Sequence, residues 1–223
     1  MKKGLIALFC ALFVIGFTAP ADASAPKVAT KYYKNKKNVK YAQVTSGLTA
    51  TARKNINNTL LAQAKKDYGY HVNIENSQRE DMFEDWCLDM PSTCNYTFDS
   101  SFKVKSGNAK YWTLQHFNYS YTGGAHGMGG TTLYNFDRKT GKRVTIADAL
   151  KSSLNIKKVH TYAYNYMKDR ERFFVDKPSD FKLTRDTQFY FTPSGITLVF
   201  QSYEVASYAD GYPEVKIPAS VYR

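Results

Sequence analysis

The chain has 223 residues, a formal net charge of +12, and 15% aromatic residues, mostly Tyr and Phe. That length suffices for one or two domains with a real core, and the aromatic content argues for strands with aromatic faces over a helical bundle. The basic balance attracts polyanions (wall polymers, anionic lipid or stray nucleic acid) or serves solubility alone.

The first residues read as a signal peptide, 1–23. Lys2 and Lys3 precede an uncharged apolar run, Leu5 to Phe17, and Ala21-Asp22-Ala23 has the small-residue form that precedes cleavage before Ser24. The run is shorter than the roughly 20 residues that span a bilayer, and no later segment is apolar enough to do so. The expected product is secreted, with no transmembrane segment after cleavage. Cys10 leaves with the leader, so Cys87 and Cys94 are expected to form one local disulfide.

Ser24 to Lys40 is lysine-rich and reads as a loosely held arm. Val39 to Val44 alternates as an early strand, ended by Gly47. Thr49 to Lys66 has helical spacing, with Ile56, Leu60, Leu61 and Ala64 on one face, Thr49 as its cap and Gly69 closing the segment. Glu75 to Asp89 is acidic: Glu75, Glu80, Asp81, Glu84, Asp85 and Asp89 are offset only by Arg79. It is either a solvated helix face or a docking patch for a basic partner.

From Cys94 to Tyr121 the pattern is that of two aromatic strands separated by Ser106-Gly107-Asn108. A glycine-rich stretch, 123–130, interrupts before a strand at Thr131 to Phe136 and a hairpin turn at Asp137 to Gly141. Thr145 to Asp148 is a capping box opening a helix over Ala147 to Ser152, and Ile156 to Arg172 predicts a longer one. Thr187 to Phe191 and Ile196 to Val205 form a hairpin around Pro193-Ser194-Gly195, and Val215 to Ile217 is a last strand. The order predicts α+β: antiparallel sheets with packed helices.

Catalytic and metal motifs are not found. His71, His116, His126 and His160 have no metal-ligand spacing; there is no nucleophile elbow and no phosphate loop. Oxidised cysteines are not nucleophiles. The reading is of a non-enzyme with no cofactor and no metal, although a carboxylate pair for wall hydrolysis meets in space and is left open. Lysines and aromatics interleave at Lys31 to Lys34, yet no nucleic-acid motif accompanies them, so no nucleic acid is expected. His126 is either a structural turn histidine or part of a binding loop, in a segment whose glycines permit positive φ and close packing.

Several stretches together resemble a bacterial extracellular family. They are Tyr121-Thr122-Gly123-Gly124-Ala125-His126-Gly127, Tyr134 to Asp137, Thr140-Gly141-Lys142, Asp148 to Leu150, Phe189 to Phe191, Tyr203-Glu204-Val205 and Glu214 to Pro218. The stretch from Tyr41 to Lys66 resembles the companion N-terminal domain. The family includes the extracellular part of the RsiV anti-sigma factor and the non-catalytic region of the PdaC peptidoglycan deacetylase. The resemblance implies two intimately associated small domains: an N-terminal α+β domain over 24–126, carrying the disulfide, and a C-terminal one over 127–223. It also implies a secreted or wall-associated binding module with lysozyme, another extracellular protein, or an anionic cell-wall polymer as partner. Two binding loops are expected: Gly123, Gly124, Ala125, His126 and Gly127, and a second over Tyr203 to Tyr212, containing Ser207, Tyr208, Gly211 and Tyr212.

Overall fold

The computed structural model describes residues 25–105 and 107–223. The leader and Cys10 lie outside the described residues. Those residues form α-helices and three antiparallel sheets, as expected of α+β.

The lysine-rich arm is in fact a strand. β1 (Lys27–Tyr32) pairs antiparallel with β2 (Lys40–Ser46), Val28 opposite Val44 and Thr30 opposite Ala42. Val28 packs on Ala42, Val44 and Ile56, while Lys27 and Lys31 stay in water. An edge strand tolerates such charges, which also discourage pairing with another chain.

Helix α1 (Ala50–Asp81) begins where expected, with the Thr49 hydroxyl accepting the Ala52 N–H at 3.1 Å. It does not end at Gly69. Ala52, Ile56, Leu60 and Ala64 are buried, and the same face continues as Asp67 and His71. The apolar period stops because the sheet beneath presents polar groups to the second half of the helix. The Asp67 carboxylate, 0% exposed, takes the His116 Nε2 at 2.8 Å and the Gln63 amide at 2.9 Å. The Tyr134 hydroxyl donates to Gln63 Oε1 at 2.7 Å, completing a buried chain from sheet to helix and back. One turn on, Asn38 Nδ2 lies 3.0 Å from His71 Nδ1 and donates to the Phe98 carbonyl at 2.9 Å. Glu75 lies 3.1 Å from His71 Nε2 without lining up for a hydrogen bond, and it pairs with Lys36 at the same distance. Burial lowers the pKa of His71, partly offset by Glu75, which favours the neutral ring.

The second sheet runs β3 (Thr97–Val104), β4 (Tyr111–Tyr121), β5 (Met128–Asp137). Its inner face, with Trp112, Leu114, Tyr134 and Phe136, packs on Ile56 and Leu60 of α1. β5 pairs with β4 from Met128 to Asp137. The expected division at 126/127 therefore falls inside the β4–β5 hairpin, and the sheet-level division follows Asp137. The hairpin turn after it is closed by Asp137, whose carboxylate accepts from the Lys139 and Thr140 N–H groups at 3.1 and 2.8 Å.

Beyond it, α3 (Ile146–Leu150) carries the complete Thr145–Asp148 capping box. α4 (Ser153–Met167) covers the third sheet, β6 (Gln188–Thr192), β7 (Gly195–Val199), β8 (Glu214–Pro218). Val159, Ala163 and Met167 meet Phe189, Phe191, Ile196, Leu198 and Val215 in the largest core. α4 stops five residues before the expected Arg172, after its last buried side chain, Met167. β7 stops at Val199 because the next N–H, of Phe200, donates to the Pro213 carbonyl and the chain turns at Tyr203 (φ 66°).

The two parts meet along the free edge of β5. Gln201 Oε1 accepts the Thr131 N–H at 3.0 Å and its amide donates to the Thr131 carbonyl at 2.8 Å. Gln188 Oε1 accepts the Leu133 N–H at 2.6 Å, and Asn135 donates to the Phe189 carbonyl at 2.7 Å. Side-chain amides thus occupy an edge that a further strand would otherwise take. Tyr111 stacks on Phe191 at 4.1 Å beside them.

Two stability outcomes follow. Gly69 is exposed in mid-helix, and a Cβ there meets nothing within 4 Å, so Gly69→Ala should raise unfolding free energy by about 0.5–1 kcal/mol. A helix that ended at Gly69 would lose stability instead. Asp67→Ala strands the buried His116 and Gln63 donors and should cost about 3 kcal/mol in a urea titration.

Candidate binding site

The two loops expected to bind come together. The hairpin loop between β4 and β5 carries Gly123 to Gly127, and the loop between β7 and β8 carries Ser207 to Tyr212. The His126 ring stacks on Tyr208, centroids 4.3 Å apart and planes at 22°. The Tyr208 hydroxyl donates to the Gly127 carbonyl at 3.0 Å, across 81 residues of sequence. His126 Nδ1 lies 3.0 Å from the same carbonyl, which can only accept, so the proton of that bond sits on Nδ1. Tyr203 extends the aromatic row, 5.7 Å from Tyr208, and is largely exposed.

Each loop is fixed by local bonds. The Tyr121 hydroxyl donates to the Gly124 carbonyl at 3.0 Å. Gly123 sits at φ +96°, and a Cβ there would lie 3.3 Å from the Thr93 carbonyl and 3.9 Å from the Trp86 ring. Gly127 has no room for a side chain, because a Cβ would run into the Ser120 carbonyl and the Tyr119 ring. On the other loop, Ser207 donates to Asp210 at 2.6 Å, and Arg172 lies 3.5 Å from the same carboxylate. Ser202 donates to the Gly211 carbonyl at 2.9 Å, and Gly211 turns the chain at φ +64°. The surface is largely pre-formed in the free chain.

Between the second loop and the strands β3 to β5 lies a cleft of about 360 Å³ whose walls include Phe117, Tyr119, Tyr208 and Tyr212, with Asp99 and Asn118 at its polar side. Tyr212 packs on Phe117 at 5.8 Å, and burial raises its phenol pKa. Ser207, Tyr208, Gly211 and Tyr212 are thus neighbours, and Tyr208 joins them to His126 and Gly127. Gly124 and Ala125 are exposed at the tip and line no cleft. Tyr203, which opens the second expected loop, belongs to the same surface, as do Phe117 and Tyr119, which were not singled out from sequence. The alternation of Phe117 and Tyr119 on the outward face of β4 is the signal that would have found them.

The other histidines are committed elsewhere. His116 lies under α1, His71 is on the buried face of α1, and His160 stacks on Phe181 at 4.4 Å. The Cys87–Cys94 disulfide is formed, with Cα atoms 5.7 Å apart. Among the described residues no cluster of three His, Cys, Asp or Glu side chains is placed to share a metal ion, and no helix is long and apolar enough to cross a membrane.

Comparison with known proteins follows the same division. A family model described as deacetylase PdaC matches residues 26–129, and one described as a protein of unknown function, DUF3298, matches residues 138–220. Among solved structures, a DUF3298 family member from Bacteroides fragilis has a TM-score of 0.61 at 19% identity, covering 88% of this chain and 89% of that one. A DUF3298 family protein from Pseudomonas aeruginosa is 23% identical over 56% of this chain and 60% of its own, with a TM-score of 0.43. No curated protein matches the chain. The chain therefore carries a region similar to the PdaC family model followed by one similar to the DUF3298 model, on a fold shared with a solved DUF3298 protein.

Proposed function

We propose that the chain is a secreted, cell-wall-associated binding protein without catalytic activity, and that its partner is a lysozyme met by the paired loops. The two matched family regions and the disulfide support an extracytoplasmic, wall-associated place. The observation that carries the rest is the His126–Tyr208 stack, which turns two distant loops into one surface of rigid aromatics. Such side chains give contact area at small entropic cost, and a rigid rim suits a convex loop pair entering an enzyme's cleft. The deacetylase activity in the name PdaC is not carried over. Of the two close carboxylate–histidine pairs among the described residues of that region, Asp67 and His116 are sealed between helix and sheet, and the Glu75 carboxylate beside the buried His71 is paired with Lys36.

Charge shapes how such a partner arrives. Both the chain and a basic lysozyme are cationic overall, so they repel at long range. At physiological salt the screening length is about 8 Å, which confines this repulsion to short range.

Calorimetric titration of the oxidised chain with a basic lysozyme should give a saturable one-to-one isotherm. His126→Ala and Tyr208→Ala should each weaken it about tenfold or more, close to 1.4 kcal/mol. No heat at low or moderate salt removes lysozyme as partner and leaves a wall polymer held by the exposed Lys27, Lys31, Lys34 and Lys37.

A further inference from the structure

The turn that follows α1 is folded inside out. Its buried residues are sulfur: Cys87 and Cys94 form a small core with Tyr96 and Ile74. Its large apolar side chains point to water instead. Phe83 is 75% exposed and Leu88 62%, and Met82, Trp86 and Met90 are each between 43% and 58% exposed. A scattered exposed hydrophobe needs no explanation, but five within nine residues are a concentration of the kind that marks an interaction surface.

The patch is also rigid. α2 (Asp85–Asp89) lies inside it, and the disulfide ties that helix to the 3-10 turn at Pro91–Cys94. The Cys87 and Leu88 N–H groups both donate to the Glu84 carbonyl, and the Thr93 hydroxyl donates to the Met90 carbonyl at 2.8 Å. The Tyr96 hydroxyl donates to Asp81 at 2.7 Å, and burial together with that carboxylate pushes the phenol to about 12, so it remains a donor at any physiological pH. Burying the apolar side chains in the chain's own core would need no such framework. Holding them outward does.

Position and charge say what covers them. A side chain at Gly123 would meet Thr93 and Trp86, so the patch adjoins the loop that stacks on Tyr208. Glu80, Glu84, Asp85 and Asp89 are all exposed around it, in a chain whose net charge is +12. An acidic rim repels an anionic membrane and complements a cationic surface.

We propose that the Met82–Met90 turn is the apolar anchor that seats a basic protein partner, with Phe83 and Leu88 entering the partner's surface and the carboxylates meeting its cations. The inference rests on the reading of a basic protein as partner and adds a second contact beside the loop pair. The test is calorimetry of the full oxidised chain with a basic lysozyme, comparing wild type, Phe83→Ser/Leu88→Ser and Tyr208→Ala. Unchanged circular dichroism is expected for the double variant, since both side chains lie outside the core. The account expects the double variant to bind about tenfold more weakly or worse. Binding by the double variant within about twofold of wild type overturns the anchor, and leaves the loop pair standing if Tyr208→Ala is weakened. Loss in the double variant with Tyr208→Ala unaffected keeps the anchor and overturns the loop pair. No binding by wild type overturns both.

Discussion

The pairing of the Gln201 side chain with the backbone of Thr131 is the contact on which the arrangement depends. A primary amide offers one donor and one acceptor at nearly the spacing of a peptide unit, so Gln201 does for Thr131 what a neighbouring strand would do. One step along, Gln188 accepts the Leu133 N–H and Arg143 reaches the Leu133 carbonyl; one step further, the Val144 N–H donates to the Asn135 carbonyl while the Asn135 side chain donates to the Phe189 carbonyl. The edge of β5 is thereby satisfied without a continuous ladder between the sheets. Asn57 does the same on β2, exchanging both bonds with the backbone of Val44. An edge closed by side chains of its own chain is not open to another chain.

That seam has a consequence for the site. Gln201 precedes the Tyr203 to Tyr212 loop by two residues, and Thr131 follows the Gly123 to Gly127 loop by four. Anchoring one to the other at the base fixes the two loops in register at their tips, where His126 meets Tyr208. The aromatic surface is therefore a property of the joined parts. Neither the PdaC-type region nor the DUF3298 region carries it alone.

Much of this was legible in the residues. β3 and β4 show in the alternation of Phe98, Phe102, Trp112 and Leu114, and α3 in its capping box, because these elements bury apolar faces or close with local side-chain bonds. The second half of α1 was hidden because what it buries is Asp67 and His71, which a search for apolar periodicity reads as solvent-facing. β1 was hidden because an edge strand can be lysine-rich. The two loops stood out through family resemblance, whereas their contact did not, since nothing local to Tyr208 encodes a carbonyl 81 residues away. The acidic run from Glu75 to Asp89 was visible as charge. That its apolar members face outward over a disulfide core depends on three-dimensional burial alone.

The most direct test of the seam is amide hydrogen exchange at Thr131 and Leu133. Both N–H groups point away from β4, toward the side chains of Gln201 and Gln188. They should exchange as slowly as the ladder amides between β4 and β5, and Gln201→Ala should release Thr131 while leaving Leu133 protected. Exchange of both at the rate of an open sheet edge in the unmodified chain would contradict a joined fold and, with it, a pre-formed binding surface.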